Sequence, residues 1–241
     1  MIAVDVIDLW KKFGKRYVLR GLTFRVSVGE IYGLVGPNGA GKTTTLRILA
    51  TILKPDKGSV HVLGKNIVKD TNQVRKLISY LPEDVGVYKH LTGREFLKIN
   101  GLIQGLKGKS LEEAVEYGVT ISGLGELIDA PMGSYSKGMR RRIMVARSLM
   151  SKSRILILDE PTSGLDVEHS VYVRKLIKDY VREMNAACIV SSHNMLEVEY
   201  LCDRVAMIKD GTIIVEGNPK KIEKEYEAEN LEEVFIKVVK K

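Results

Sequence analysis

A glycine-rich segment near the N terminus has the residue types that hold the phosphates of a nucleotide. Its eight residues are Gly36, Pro37, Asn38, Gly39, Ala40, Gly41, Lys42 and Thr43. Glycines let backbone N–H groups approach phosphate oxygens, and a helix beginning here would point its positive end at the same anion. Lys42 is expected to reach the β- and γ-phosphates and Thr43 to ligate Mg²⁺, with Thr44 beside them. The segment predicts a site for ATP and Mg²⁺.

Two acidic residues, Asp159 and Glu160, follow the apolar run 155–158. The run predicts a buried strand, whose carboxyl end is the place where open α/β sheets bind ligands. Successive strand residues point in different directions, so Asp159 can face the metal while Glu160 faces an attacking water. The pair predicts a magnesium ligand next to a general base.

The apolar patterns predict the elements that position these residues. Strand patterns alternate with helical ones, which indicates an α/β core around a largely parallel sheet. Between about 85 and 149 the strand patterns give way to helices, as in an insertion, and Asp210-Gly211 predicts a type I′ hairpin turn. The predicted strands are 4–9, 22–28, 31–35, 59–63, 77–81, 155–158, 187–191, 204–208 and 213–216. Helices are predicted at 42–53, 167–184, 195–202, 219–226 and 231–239, the last with an apolar face for the core or a second subunit.

The composition of the 241 residues, 44% hydrophobic and 28% charged, is that of an ordinary globular chain. No apolar run approaches the roughly 20 residues that cross a bilayer, and acids near the start argue against a signal peptide. Cys188 and Cys202 lie in apolar stretches, which predicts buried free thiols in a reducing cytoplasm. The net charge of +8 fits nucleic acid, an anionic membrane or simply a solvated lysine-rich surface.

Four further segments identify the chain as similar to a known family. Residues 134–142, Ser-Tyr-Ser-Lys-Gly-Met-Arg-Arg-Arg, resemble the signature motif of ATP-binding cassette (ABC) ATPases. Residues 161–166, Pro-Thr-Ser-Gly-Leu-Asp, resemble the D-loop of that family, and Ser192-His193 resembles its switch histidine. Phe13-Gly14 stands where the family places an aromatic against adenine. The motifs span about 5–217 in the family's order, and the signature is most like that of ABC-2 type exporters.

The resemblance implies a P-loop NTPase fold of the ABC ATPase type. It has a parallel-sheet RecA-like core, an N-terminal antiparallel β subdomain and an inserted helical subdomain. The expected boundaries within one domain, 1–241, are 1–84 and 150–218 for the core with its β subdomain, 85–149 for the helical subdomain and 219–241 for a C-terminal extension.

The resemblance also implies a head-to-tail homodimer with two ATP molecules in its interface. Ser136 and the N–H of Gly138 would donate to the γ-phosphate held by the other subunit. Glu160 would be the general base, and His193 would hold the γ-phosphate, water and base in register. Phe13 would stack on adenine, with Tyr17 as the competing ring.

The chain departs from the family pattern at three places. Glu83 stands near the position of the usual glutamine, so we expect it to serve the metal and the water in its place. Lys137 replaces a glycine, and either faces solvent or contacts phosphate across the interface. Tyr135 and Met139 replace the outer residues of the signature. Arg140, Arg141 and Arg142 are expected on different helix faces, solvated or paired.

The function implied is the ATP-hydrolysing subunit of an ABC transporter, peripheral on the cytoplasmic face of the cell membrane. It would power transport, in the export direction, through a separate integral-membrane permease docked near 83–91. The alternative is a soluble ABC ATPase acting on nucleic acid or ribosomes, disfavoured because the chain has one cassette and no paired CxxC. A catalytically dead cassette is disfavoured because Lys42, Asp159, Glu160 and His193 are all present.

Overall fold

The computed structural model describes residues 1–83, 86 and 88–239, in which two sheets and a helical block are formed. The strands are β1 (Ile2–Phe13), β2 (Arg16–Ser27), β3 (Ile31–Val35), β4 (Lys57–Val62), β5 (Lys65–Asn66), β6 (Ile78–Leu81), β7 (Ile155–Asp159), β8 (Ala187–Ser192), β9 (Arg204–Lys209) and β10 (Thr212–Gly217). The helices are α1 (Lys42–Leu49), α2 (Thr71–Arg75), α3 (Gly93–Ile103), α4 (Gly108–Ser122), α5 (Lys137–Leu149), α6 (Val167–Met184), α7 (Met195–Leu201), α8 (Pro219–Glu225) and α9 (Leu231–Val239).

The larger sheet has six strands in the order β10-β9-β3-β8-β7-β6. Strands β9, β3, β8, β7 and β6 are parallel, and β10 joins β9 as an antiparallel edge. Every residue of β3, β7 and β8 is buried, which explains their continuous apolar runs. Val35 pairs with Ser192 and Asp159 with Ser191, so β3, β8 and β7 end at the same level. The segments that follow these strands therefore leave the sheet together at its carboxyl end.

The smaller sheet is antiparallel, in the order β2-β1-β4-β5. Its first two strands are longer than the apolar pattern predicts, because β1 continues to Phe13 and β2 begins at Arg16, around a turn at Gly14. Basic residues on the exposed side interrupt the alternation in this stretch, so the strand signal is weak although the ladder is formed.

The end of α1 differs from the prediction, whereas the turn between β9 and β10 agrees with it. Helix α1 ends at Leu49 rather than near 53, because Thr51 takes φ +59° and the N–H groups of Ile52 and Leu53 return to the Arg47 carbonyl. The hairpin between β9 and β10 has positive φ at both Asp210 and Gly211, 48° and 79°, which confirms the type I′ turn.

The helical block α3–α5 follows β6 in the chain and precedes β7, and its apolar faces share one core with the sheet. Helix α9 buries Leu231 and Val234 completely, next to α7 and α8. Cys188 and Cys202 are buried and unbonded, which confirms the predicted free thiols. Among the described residues, no helix has both the length and the apolar character to cross a membrane.

Candidate functional site

The loop between β3 and α1 depends on glycine at two positions where it packs closely. Gly36 has φ +149°, and a Cβ there would lie 2.2 Å from the Ile208 carbonyl oxygen. Gly41 has φ +112°, and a Cβ there would lie 2.6 Å from Leu19 Cδ2. At Gly39, with φ +80°, a Cβ would meet no described atom within 4 Å. The loop is therefore fixed at its ends, while its middle faces open space.

The first turn of α1 carries Lys42, Thr43 and Thr44 into a cleft of about 300 Å³. Lys42 Nζ donates to the carbonyl oxygens of Gly36 at 2.6 Å and Pro37 at 3.2 Å. Burial lowers the pKa of Lys42, and the nearby carboxylates oppose that change. The cleft is lined by Val18, Asn38, Gly39, Gly41, Lys42, Thr43, Thr44, Glu83 and Glu160. Glycine N–H groups, a helix N-terminus and a buried ammonium together suit a polyphosphate.

Asp159 ends β7, and its carboxylate is buried beside the first turn of α1. Its Oδ1 accepts hydrogen bonds from Ser191 Oγ at 2.5 Å and Thr43 Oγ1 at 3.2 Å. Its Oδ2 is buried and receives no hydrogen bond from the residues that the structure describes. Because a buried carboxylate oxygen is costly without a partner, and carboxylates with hydroxyls are ligands that Mg²⁺ accepts, these residues fit the predicted metal.

Glu160 is buried, and its backbone is in the left-handed region with φ +51°. Its N–H donates to the carbonyl and the hydroxyl of Ser191, each at 3.2 Å. Its Oε1 lies 2.9 Å from His193 Nδ1, so two of the predicted catalytic residues are in contact. Burial raises the pKa of Glu160, while the hydrogen bond and charge of His193, and the charge of Lys42, lower it. The arrangement holds a buried carboxylate with a raised pKa in the cleft, in contact with a histidine.

Glu83 follows β6 and lines the same cleft, although it is exposed. The charge of Glu83 raises the pKa of Glu160 and also raises the pKa of Lys42, against the effect of burial. Glu83 is therefore close enough to interact electrostatically with both residues. Asp84, Val85 and Val87 lie outside the described residues, and so does that part of the predicted docking segment 83–91.

Ser136 and Gly138 do not line the cleft of their own chain. Ser136 is the N-cap of α5, and its Oγ accepts from the Met139 N–H at 3.1 Å. A Cβ on Gly138 would meet Leu165 Cδ2 at 3.6 Å and Ser136 Oγ at 3.8 Å, which are ordinary contacts. Nothing described within this chain therefore demands glycine at 138. The exposed Lys137 lies along the D-loop, where a Cβ on Gly164 would come within 2.5 Å of its Nζ.

Neither aromatic candidate for the adenine platform lines the cleft. Phe13 is 49% exposed at the end of β1, with Lys11 Nζ 5.6 Å from its ring centroid. The Tyr17 ring packs edge-on against Trp10 with centroids 5.6 Å apart. Val18 is the apolar residue that lines the cleft on this side. The stacking role of Phe13 stays a prediction.

Two buried polar residues around the cleft were not predicted. Arg141 donates to backbone carbonyls on both acidic segments, and Glu197 accepts from Thr162 Oγ1 and, at 3.4 Å, from Ser192 Oγ. The sequence held a signal for the first. With Met144, Val145 and Ser148, Arg141 follows the i, i+3, i+4, i+7 spacing of the buried face of α5.

Comparison with known families gives the same result as the geometry. The family model described as "ABC transporter" matches residues 19–163. This range includes the glycine-rich loop, the segment that resembles the signature motif and both acids. The chain belongs to the ABC transporter family. The predicted family is thereby confirmed.

Three curated members of the ABC family are similar to this chain. It is 37% identical over 214 residues to the bacitracin transport ATP-binding protein BcrA of Bacillus licheniformis, covering 88% of this chain and 69% of that protein. It is 35% identical over 237 residues to the Nod factor export ATP-binding protein I of Rhizobium sp. (strain N33), covering 97% and 77%. It is 38% identical over 213 residues to ABC transporter A family member 12 of Arabidopsis thaliana, covering 88% of this chain but 23% of that protein. The chain therefore spans less than a quarter of that plant relative.

Solved structures of ABC proteins have the same fold. One described as cbiO1 from Clostridium perfringens, part of the ABC transporter complex cbiONQ, superposes with TM-score 0.83 at 27% identity, covering 94% of this chain and 92% of that one. The ATP-binding cassette MJ0796, dimeric and bound to ADP and Pi, superposes with TM-score 0.81 at 22% identity, covering 89% and 98%. The predicted ABC ATPase fold is confirmed.

Proposed function

We propose that this ABC protein is the ATP-binding and ATP-hydrolysing subunit of a transporter with a separate integral-membrane permease. One observation carries the proposal: parallel strands bring Glu160 to the cleft that Lys42 lines, where Glu160 lies 2.9 Å from His193 and Asp159 accepts a hydrogen bond from Thr43. Relatives named for bacitracin transport and Nod factor export support the transport role and an export direction. We place the subunit at the cytoplasmic face of the membrane, where the permease would hold it.

We propose that the described residues have separate roles in ATP hydrolysis. The loop 36–41 and Lys42 hold the phosphates, while Thr43, Asp159 and Glu83 would hold Mg²⁺. When bound, the metal would neutralise charge that develops on the phosphates. Glu160 accepts a proton from the attacking water, and His193 orients that carboxylate and the γ-phosphate.

The composite dimer site is proposed from the position of the signature segment. The α5 N-terminus lies outside its own chain's cleft, with Gly138 free of packing that would require glycine. A helix N-terminus attracts anions, so Ser136 and Gly138 fit the γ-phosphate on a second copy. The neighbour that is dimeric and bound to ADP and Pi supports the formation of a dimer.

The transport proposal is tested by isolating the native complex from membranes and identifying what co-purifies. We expect an integral-membrane protein, together with ATPase activity that requires Mg²⁺. Recovery with ribosomes or nucleic acid, and without a membrane protein, would contradict the transport role.

Replacing Glu83 with Ala tests its part in the metal site. We expect the Mg²⁺ concentration for half-maximal ATPase activity to rise about tenfold. This corresponds to the loss of metal affinity that is typical when a residue around a metal is removed. Glu83→Gln, which keeps an oxygen at the same place, should stay near wild type. If Glu83→Ala leaves both the rate and the metal dependence unchanged, the role assigned to Glu83 is wrong.

The pH dependence of hydrolysis tests the contact between Glu160 and His193. The base must be ionised, so kcat should rise with pH through the pKa of Glu160, which burial has raised. His193→Ala removes a hydrogen bond and a charge that lower this pKa, so the acid limb should move to higher pH.

The measurement is kcat at saturating Mg-ATP between about pH 5 and about pH 9. His169→Ala is the matched control, because that histidine bonds Asp166 on the surface. An acid limb that stays in place or moves to lower pH in His193→Ala would refute the contact.

A further inference from the structure

Arg141 is a buried cation in the helix that begins with the signature segment. Its relative exposure is 6%, and it lies little more than one helical turn beyond Ser136. Its neighbour Arg142 is partly exposed and donates to the Gly123 carbonyl at 3.2 Å, on another side of the helix. Burial of a guanidinium is costly unless its N–H groups are satisfied, so its hydrogen bonds show what it holds together.

Among the residues that the structure describes, five backbone carbonyls accept hydrogen bonds from the guanidinium of Arg141, and they lie on two segments that carry acidic site residues. Nη1 donates to the carbonyls of Pro82 and Glu83, each at 3.0 Å. Nη2 donates to the backbone carbonyl oxygens of Asp159, at 2.6 Å, and of Glu160. Nε donates to the backbone carbonyl oxygen of Pro161 at 2.9 Å. One planar group therefore joins the segment after β6, the segment after β7 and helix α5.

These contacts connect the two functions that one chain has in the proposed dimer. The N-terminus of α5 would contact the nucleotide of the partner, while Glu160 and Glu83 serve the nucleotide of their own chain. A shift of α5 moves Arg141, and the guanidinium fork transmits that shift to the backbone of both carboxylates. A lysine could not do the same, because its ammonium is a single point on a flexible stem.

We propose that Arg141 is a positioning residue that couples the two ATP sites of the dimer. It sets the backbone of Glu83 and Glu160 according to whether the signature segment has closed on the partner's ATP. The inference rests on the proposed function, and it predicts that hydrolysis at one site depends on occupancy of the other through this residue.

The test compares Arg141→Lys and Arg141→Gln with Arg142→Gln as the matched control. For the wild type we expect a sigmoidal dependence of rate on ATP, with a Hill coefficient approaching about 2 for two coupled sites. Both Arg141 variants should show a Hill coefficient near 1 and a kcat lowered about tenfold or more, with ATP binding to the monomer within about twofold of wild type. Arg142→Gln should keep the sigmoidal curve.

The outcomes separate this inference from the proposed function. A wild-type chain with no ATPase activity would overturn the function itself. A wild type that hydrolyses ATP without cooperativity, or Arg141 variants that keep it, would overturn the coupling alone. If both variants fail to fold, hydrogen exchange on Glu160→Gln gives the test: ATP-driven dimer formation should slow exchange at the backbone N–H groups of 83, 159 and 160 together with those of 137–141. Slowing at 137–141 alone would also overturn the coupling.

Discussion

Glu160→Gln is expected to lower kcat about 1000-fold while ATP binding is retained, as for the loss of a general base. The amide has the size and shape of the carboxylate and can still meet His193, but it cannot take a proton from water. Binding depends on the loop and on Lys42, which the change leaves intact. ATP and Mg²⁺ should then convert the monomer into a stable dimer, which size-exclusion chromatography detects.

The fold should tolerate this change well. Burial raises the pKa of Glu160, which means that the folded chain disfavours the ionised form and gives up stability as the pH rises through that pKa. The amide has no such charge, so the melting temperature of Glu160→Gln at neutral pH should equal or exceed that of wild type. Glu168→Gln, on the exposed start of α6, is the control for the loss of a carboxylate. Normal turnover by Glu160→Gln would remove Glu160 as the base.

Gly138→Asp is expected to lower ATPase activity about 100-fold or more without harming the isolated chain. The Asp side chain would hold the phosphate away from the N–H of residue 138. Loss of one preorganised hydrogen bond to a developing charge costs about 10²–10³ in rate, and a carboxylate aimed at a phosphate adds repulsion. Within the chain the substitution is mild, because a Cβ at 138 meets only atoms at 3.6 Å and beyond, and acids stabilise the first turn of a helix.

Three measurements on Gly138→Asp distinguish a role between subunits from one within the chain. Thermal unfolding and ATP binding by the monomer should match wild type, while dimer formation and hydrolysis are lost. Gly138→Asn has nearly the same size without the charge, so the difference between the two variants isolates the repulsion. If the Asp variant also loses monomer binding to the same extent, Gly138 acts inside its own chain and the composite site is wrong.

Features that depend on short stretches of backbone could be predicted from the sequence. Gly36 to Thr43 is such a stretch, because phosphate binding there needs a local order of glycines, a lysine and a helix start. The Asp210-Gly211 turn is another, since both φ angles are positive and glycine meets one of them freely. Strand β7 was recognisable because burial on both faces requires a continuous apolar run.

Features that depend on distant packing could not be predicted. The first hairpin is longer than its apolar pattern because ladder hydrogen bonds extend through a basic, exposed stretch. Helical spacing indicates which of the three consecutive arginines is buried, but only the rotation of α5 against the sheet decides which groups that side chain meets. That rotation places Arg141 against the carbonyls of Pro82 and Glu83, 59 and 58 residues earlier in the chain.

The sequence by itself determined the family and selected the candidate site residues, because both are read from order and spacing along the chain. Only the tertiary structure decided how they meet. The parallel order β3-β8-β7-β6 brings four chain segments to the carboxyl end of the sheet, so that Glu160 contacts His193 and the buried Asp159 accepts a hydrogen bond from Thr43. The loop predicted from eight consecutive residues is one wall of a cleft that Val18, Glu83 and Glu160 also line, and Asp159, which bonds Thr43, lies 116 residues away in sequence.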